Sequence, residues 1–135
     1  MENEQAKFIR RTFNDEFIKF VGEVYTIFPN DKDIKKAKTA LEMLKSANPK
    51  LIIKIWKEYI SDVYVEKIMQ GDISFFIHKD YSSDIAKSGN ASTNIMESIN
   101  RLRQPIRDMG DTNQKIAMHY IQNLTKLCIA YFDTF

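Results

Sequence analysis

Apolar residues recur at intervals of three and four positions along most of this chain, which is the spacing of one face of an α-helix. The most regular run is Ile95, Ile99, Leu102, Ile106 and Met109. The same spacing predicts long helices over about 4–28, 31–46, 49–70, 95–109 and from 111 onward. We therefore expect the chain to fold mainly as α-helices.

Three of the predicted helix boundaries carry end signals. Asn48-Pro49 is typical of an N-cap residue followed by proline in the first turn. Gly71-Asp72 and Gly110-Asp111 each predict a glycine that ends one helix and an aspartate that caps the next. Residues 111–114 also resemble a capping box, with aspartate in place of the usual hydroxyl residue.

Two positions predict interruptions within helices. Asn14-Asp15 and Ser61-Asp62 are both compatible with a break, since Asn, Ser and Asp favour caps over helix interiors.

The segment 71–92 has no clear period. Its apolar residues 73–77 are compatible with a short buried strand, but no second strand is predicted to pair with it. We therefore expect one or two short helices, capped by Asp72 and by Ser82 or Ser83. A loop is predicted over Ser88–Ser92.

These elements predict a single all-α domain over residues 1–135, a bundle of about five or six helices. A chain of 135 residues with 44% hydrophobic and 28% charged residues is long enough to bury one core without disulfides or metal. No apolar run approaches the roughly 20 residues that a membrane span needs, so we expect no membrane insertion.

The residues that carry chemistry are few and scattered. His78, His119 and Cys128 are not at the spacings of known zinc motifs, and no nucleophile elbow or glycine-rich phosphate loop occurs. Asp80 and Asp84 stand four apart, but such pairs are more often solvated surface or caps. We therefore expect no enzyme activity, no metal and no small-molecule cofactor.

Charge is uneven along the chain. Residues 31–58 hold eight lysines against four acidic residues, a net charge of +4 where the whole chain has +2. If the second and third helices are antiparallel neighbours, their lysines share one face that attracts phosphates. The alternative is a solvated face whose lysine stems cover apolar surface. The residues assigned to the phosphate-binding hypothesis are Lys35, Lys36, Lys38 and Lys54.

Pro105 lies between two arginines in an otherwise periodic helix. Proline removes the N–H that the carbonyl of Arg101 needs, so a kink is predicted. Arg103 and Arg107 are four apart, and beside such a kink they are compatible with a clamp for an anion or a carboxylate. The alternative is a structural bend with Glu97 and Arg101 as an ion pair and the other arginines bound to neighbouring acids.

Nine phenylalanines, six tyrosines and one tryptophan are many for a core of this size. Aromatic residues concentrate at protein interfaces, so some of them are candidates for a patch that binds a partner protein or a second copy. These candidates are Tyr59, Tyr64, Tyr131, Phe132 and Phe135.

A single cysteine, Cys128, and an acidic first segment without an apolar core indicate a reducing compartment and no secretory signal. Four segments resemble small uncharacterised proteins of large nucleocytoplasmic DNA viruses that infect algae and protists: 47–56 (ANPKLIIKIW), 71–81 (GDISFFIHKDY), 95–109 (IMESINRLRQPIRDM) and 120–127 (YIQNLTKL). The resemblance covers the chain from about Phe13 onward. It implies a viral protein of the host cytoplasm or the virion interior, and it supplies no active-site residues.

The sequence therefore favours a non-enzymatic interaction or structural protein, with a virus particle as its setting. The alternative is a nucleic-acid-binding protein that uses the lysines of residues 31–58.

Overall fold

The computed structural model describes residues 2–78 and 90–135, and for residues 90–94 it describes the backbone alone. Its helices are α1 (Glu4–Ile27), α2 (Lys32–Ala47), α3 (Leu51–Trp56), α4 (Asp62–Met69), α5 (Ser74–His78), α6 (Asn90–Asp108) and α7 (Asp111–Asp133). A π-helical turn, Lys57–Ser61, joins α3 directly to α4. Counting these three consecutive pieces as one gives six helices and no strand over the described ranges, which confirms the all-α bundle.

Helices α1 and α7 form an antiparallel pair at the centre of the bundle. Glu2, just before α1, accepts a hydrogen bond from the Tyr131 hydroxyl near the end of α7, and Phe20 stacks on Tyr120 further along. Helix α2 packs against α1 on one side and against α6 on the other, while α3, the π turn and α4 pack on α7. This arrangement places the end of α1 and the beginning of α7 at one end of the bundle.

The core is rich in aromatic side chains. Trp56 is fully buried and meets Phe13 and Phe17 edge to face, with ring centroids 6.0 Å and 5.3 Å away. Its indole N–H donates to Thr125 Oγ1 at 3.2 Å. The wide apolar face predicted for the third helix is therefore the side on which α3 meets α1 and α7.

The glycine boundaries are confirmed in part. Gly71 and Gly110 adopt φ values of +77° and +84°, which only glycine adopts without strain. Asp72 caps the turn into α5 as predicted, accepting from the Ser74 backbone N–H. Asp111 does not cap α7, because it is already the first helical residue and Gly110 occupies the N-cap position.

The predicted capping box at 111–114 is also wrong. Gln114 instead donates its side-chain N–H groups to the carbonyls of Ile106 and Arg107, both at 3.1 Å. These carbonyls lie at the end of α6, where helical partners are missing. Gln114 thus closes the end of the preceding helix.

Three further boundaries differ from the prediction. Asn48 is the C-cap of α2 rather than the N-cap of the next helix, and α3 begins at Leu51. Helix α1 has no break at Asn14, whose side chain donates to the Pro49 carbonyl at 2.9 Å. Helix α6 begins at Asn90, so the loop predicted over Ser88–Ser92 ends by that residue. The caps at Ser82 or Ser83 and the Asp80–Asp84 pair lie outside the described residues.

Candidate protein-interaction site

The antiparallel contact between α1 and α7 leaves a groove open at one end of the bundle. Its floor is formed by the stacked rings of Phe20 and Tyr120, whose centroids lie 5.1 Å apart. Further lining residues are Val24, Ile27, Met109, Ile116 and Ala117, with Glu23, Thr26 and Asn113 at the rim. The groove therefore exposes a continuous apolar surface between two helices.

Two isoleucines form the walls of this α1–α7 groove. Ile27 is 40% exposed on α1, and Ile116 is 50% exposed on α7. The groove has a volume of about 250 Å³, below the roughly 300–1,000 Å³ of pockets that enclose a drug-sized ligand or cofactor. Its size and composition suit one large apolar side chain.

Glu23 is the one carboxylate among the residues that line the groove. The pKa of Tyr120 is raised well above its usual value, first by burial, then by hydrogen bonding to Glu23 and by the negative charges of Glu23 and Glu16. Tyr120 therefore stays neutral near pH 7. The rim of the groove consequently favours an incoming positive charge beside an apolar group.

Polar depressions flank the groove along α7. One is lined by Glu16, Lys19, Lys115, His119 and Asn123, among others. Another, of about 370 Å³, lies between α7 and Gly71 and Ile73, and it shares Lys115 and His119. Both histidine and lysine are exposed there, so the apolar character is confined to the α1–α7 groove.

The aromatic residues predicted to form a patch are dispersed. Tyr131 is 5% exposed, so its placement on the surface is wrong, because its hydroxyl donates to Glu2 inside the bundle. Tyr64 is half-buried and stacks on Phe75, and Tyr59 is also half-buried. Phe132 is half-buried beside Phe135, and only Phe135 is exposed.

The predicted lysine site does not form one surface. Lys35 and Lys36 are exposed in the first half of α2, whereas Lys54 is exposed on α3. Lys36 lies 11 residues before the end of α2, about 16 Å along the helix. Lys38 is bound to Glu42 at 2.7 Å within the same helix. The lysines thus divide into a group on α2 and a group on α3.

The two predicted clamp arginines face different surroundings. Arg103 donates to the Ile77 carbonyl of α5 at 3.4 Å, while Arg107 is exposed near the end of α6. Glu97 and Arg101 approach to 3.8 Å, as the structural alternative predicts. Pro105 is buried within α6. The pair does not converge on a shared anion site.

Cys128 is fully buried and lies 3.5 Å from the Ile53 carbonyl. Burial raises the pKa of its thiol to about 12, so the nucleophilic thiolate is scarce near pH 7. The part of the chain that the structure describes holds no cluster of three His, Cys, Asp or Glu side chains suited to a metal ion. Within 2–78 and 90–135, no helix has the length and apolar character to cross a membrane.

The groove was not predicted from the sequence. Ile27 and Ile116 belong to the apolar stripes of their helices, and the sequence assigns such positions to the core. Comparison with known proteins finds no matching family model, no matching curated protein and no matching solved structure.

Proposed function

We propose that the protein is a non-enzymatic interaction protein that receives an apolar side chain of a partner protein in the α1–α7 groove. The observation that carries the proposal is the pair of exposed isoleucines, Ile27 and Ile116, on either side of an apolar floor. Leaving this surface in water is unfavourable, at about 25 cal/mol per Å². Covering it with a partner recovers that free energy.

The rim restricts the chemistry of the partner. A basic residue beside the inserted side chain pairs with Glu23, whereas an acidic one is repelled by Glu23 and Glu16. Residues three or four apart share one helical face. The partner surface is therefore a helix with an apolar residue and a lysine or arginine one turn away.

Site-specific photo-crosslinking tests this proposal. A photoreactive residue replaces Thr26, an exposed residue at the rim of the groove, and in the matched control it replaces Thr39, an exposed threonine on α2. We expect position 26 to give a cross-linked protein that position 39 does not. Mass spectrometry should map the link to an apolar residue one turn from a basic residue.

The variant Ile116→Glu provides the second control, since it places a charge on the wall of the groove. It should abolish the cross-link from position 26. Equal yields from positions 26 and 39, or yields that survive Ile116→Glu, would contradict the proposal.

The setting we propose is the particle of a large DNA virus, with the protein in the virion interior or the host cytoplasm. The support is the sequence resemblance of residues 47–56, 71–81, 95–109 and 120–127. Mass spectrometry of purified particles, after protease has removed external proteins, tests it. Absence from the particles would restrict the setting to the cytoplasm of the infected cell.

One contact favours nucleic-acid binding as a second candidate function. Lys57 Nζ lies 5.5 Å from the centroid of the Phe132 ring, beside the exposed Phe135. Lys50 and Lys54 precede Lys57 at steps of four and three, on the same face of the helix. Lysines beside aromatic rings are a common surface for single-stranded nucleic acid.

Fluorescence anisotropy with a labelled single strand tests this candidate. Binding should weaken steeply as salt is raised, because neutralised phosphates release counterions. Lys50→Glu with Lys54→Glu should abolish it. The matched pair Lys35→Glu with Lys36→Glu, on α2, should leave it intact. Absence of binding at low salt excludes this candidate.

A further inference from the structure

The exposed face of α1 carries an apolar side chain that has no partner in its own chain. Phe8 is 70% exposed, the highest value among the large hydrophobic residues that the structure describes. It lies on the side of α1 opposite to the buried residues Ala6, Arg10 and Phe13. A phenylalanine held out in water on a regular helix is a natural ligand for an apolar groove.

Charge distinguishes Phe8 from the other exposed apolar residues. Lys7 and Arg11 flank it, and Glu4 is the one acidic residue within a turn. Arg11 is exposed and lies three residues after Phe8. Met43 has no charged residue three or four positions away, and Val63 has Glu66 beside Lys67. Phe8 with Arg11 therefore matches an apolar groove with Glu23 at its rim.

We propose that the partner is a second copy of this chain, whose Phe8 enters the α1–α7 groove while its Arg11 pairs with Glu23. This inference rests on the proposed function and names the occupant of the same groove. The contact joins an apolar side chain to an apolar floor and a guanidinium to a carboxylate. Both parts are exposed in the single chain.

The position of Phe8 fixes the kind of assembly. Phe8 and Val24 are 16 residues apart on α1, about 24 Å at the rise of an α-helix. A chain therefore cannot fill its own groove with its own Phe8. Each copy offers Phe8 at one end of the bundle and a groove at the other. Such a head-to-tail contact builds rings or open filaments rather than a twofold dimer.

Sedimentation of the full chain over a concentration series tests the inference. The wild-type mass should rise with concentration, whereas Phe8→Ser and Ile116→Glu should each remain at the monomer mass. Met43→Ser is the matched control, since Met43 is 67% exposed on α2, and it should assemble like the wild type. Circular dichroism verifies that each variant is folded.

Mixing the two defective variants gives the decisive measurement. Phe8→Ser retains an intact groove, and Ile116→Glu retains an intact Phe8, so an equimolar mixture has one productive contact. We expect dimers and nothing larger. Assembly of Phe8→Ser at the wild-type concentration, or a mixture that stays monomeric, would overturn the inference.

Charge reversal tests the ionic part separately. Arg11→Glu and Glu23→Arg should each weaken assembly, and the double variant should restore it. Restoration identifies the pair, since neither change alone improves either surface; failure to restore rejects the Arg11–Glu23 contact.

The outcome also separates this inference from the proposed function. A chain that stays monomeric but cross-links another protein from position 26 retains the proposed function and loses the self-association. A chain that does neither loses both.

Discussion

Trp56 shows how one polar group within the core constrains a neighbouring residue. The indole is fully buried, and its N–H reaches Thr125 Oγ1, which itself donates to the Ile121 carbonyl at 2.8 Å. Both side chains are satisfied by this chain of hydrogen bonds. Thr125 is therefore a hydrogen-bonding residue on a helix face that is otherwise apolar.

Thr125→Val should lower the free energy of unfolding by about 1–3 kcal/mol, because it leaves the buried Trp56 N–H without an acceptor. Urea denaturation followed by circular dichroism measures the change. Thr39→Val is the matched control, an exposed threonine whose replacement should alter stability by less than about 0.5 kcal/mol. Equal effects of the two substitutions would argue against the role of the hydrogen bond.

Cys128 should react with thiol reagents only when the protein opens. It is fully buried, and the pKa of its thiol is raised to about 12 by burial. Modification at pH 8 should therefore be slow in buffer and fast in denaturant, with the rate following the unfolded population. Labelling with a chromogenic disulfide measures both rates. Fast modification of the native protein would show that the thiol is accessible.

At the scale of the helix, the junction between α6 and α7 is held by a side chain. Gln114 donates to two carbonyls at the end of α6, across the glycine that separates the helices. Helix ends leave carbonyls without partners, so this glutamine replaces the bonds that the helix itself lacks.

Gln114→Ala should destabilise the protein by about 1 kcal/mol, the typical net value of a hydrogen bond. Thermal and urea unfolding measure it. Gln104→Ala is the control, because Gln104 bonds only to Asp108 within α6 on an exposed surface. We expect the control to retain nearly the wild-type stability, and a larger loss in the control would contradict this account.

The helices themselves follow from the sequence because each buries a stripe with the period of an α-helix. The boundaries follow where the chain determines them locally, as at Asp31, which accepts from the N–H groups of Asp33 and Ile34. They do not follow where a distant residue decides. Asn14 stays within α1 because it binds Pro49, 35 residues away.

At the scale of the whole molecule, three side chains tie the two ends of the described chain together. Glu2 accepts from Arg10 at 3.0 Å and from the Tyr131 hydroxyl at 2.8 Å. The bond to Arg10 is the main reason that the pKa of Glu2 is lowered. Burial and then Glu2 raise the pKa of Tyr131 to about 12. Ionised Glu2 and neutral Tyr131 are therefore the stable forms.

The pH dependence of stability follows from these directions. The stabilisation through Glu2 is present above its ordinary pKa near 4.5 and is lost as pH falls further. The stabilisation through Tyr131 is present below its ordinary pKa near 10 and is lost as pH rises toward 12. Tyr131→Phe should lower stability at pH 7 by about 1–3 kcal/mol.

Denaturant unfolding between pH 7 and pH 12 tests this prediction. Between pH 10 and pH 12 the wild type should lose more stability than Tyr131→Phe, so the difference between them should shrink. The comparison isolates Tyr131 because both proteins retain Cys128. A constant difference across this range would contradict the prediction.

The groove could not be predicted from the sequence because the helical pattern identifies which side of a helix is apolar and not how much of it is covered. Ile27 and Ile116 belong to apolar stripes like their buried neighbours. Their exposure results from the angle and register at which α1 and α7 meet. The lysine surface failed as one patch for the same reason, since α2 packs on α1 and α6.

The π-helical turn at Lys57–Ser61 constrains the length of its helix. A π turn holds one residue more than an α-helical turn. Removing a single residue there would restore regular winding and rotate everything beyond it by about 100°. Ile68 would leave the core, and its carbonyl would move away from the Gln122 side chain that binds it at 2.9 Å. Lineages that carry this gene should accordingly tolerate substitutions in that stretch far better than single-residue deletions.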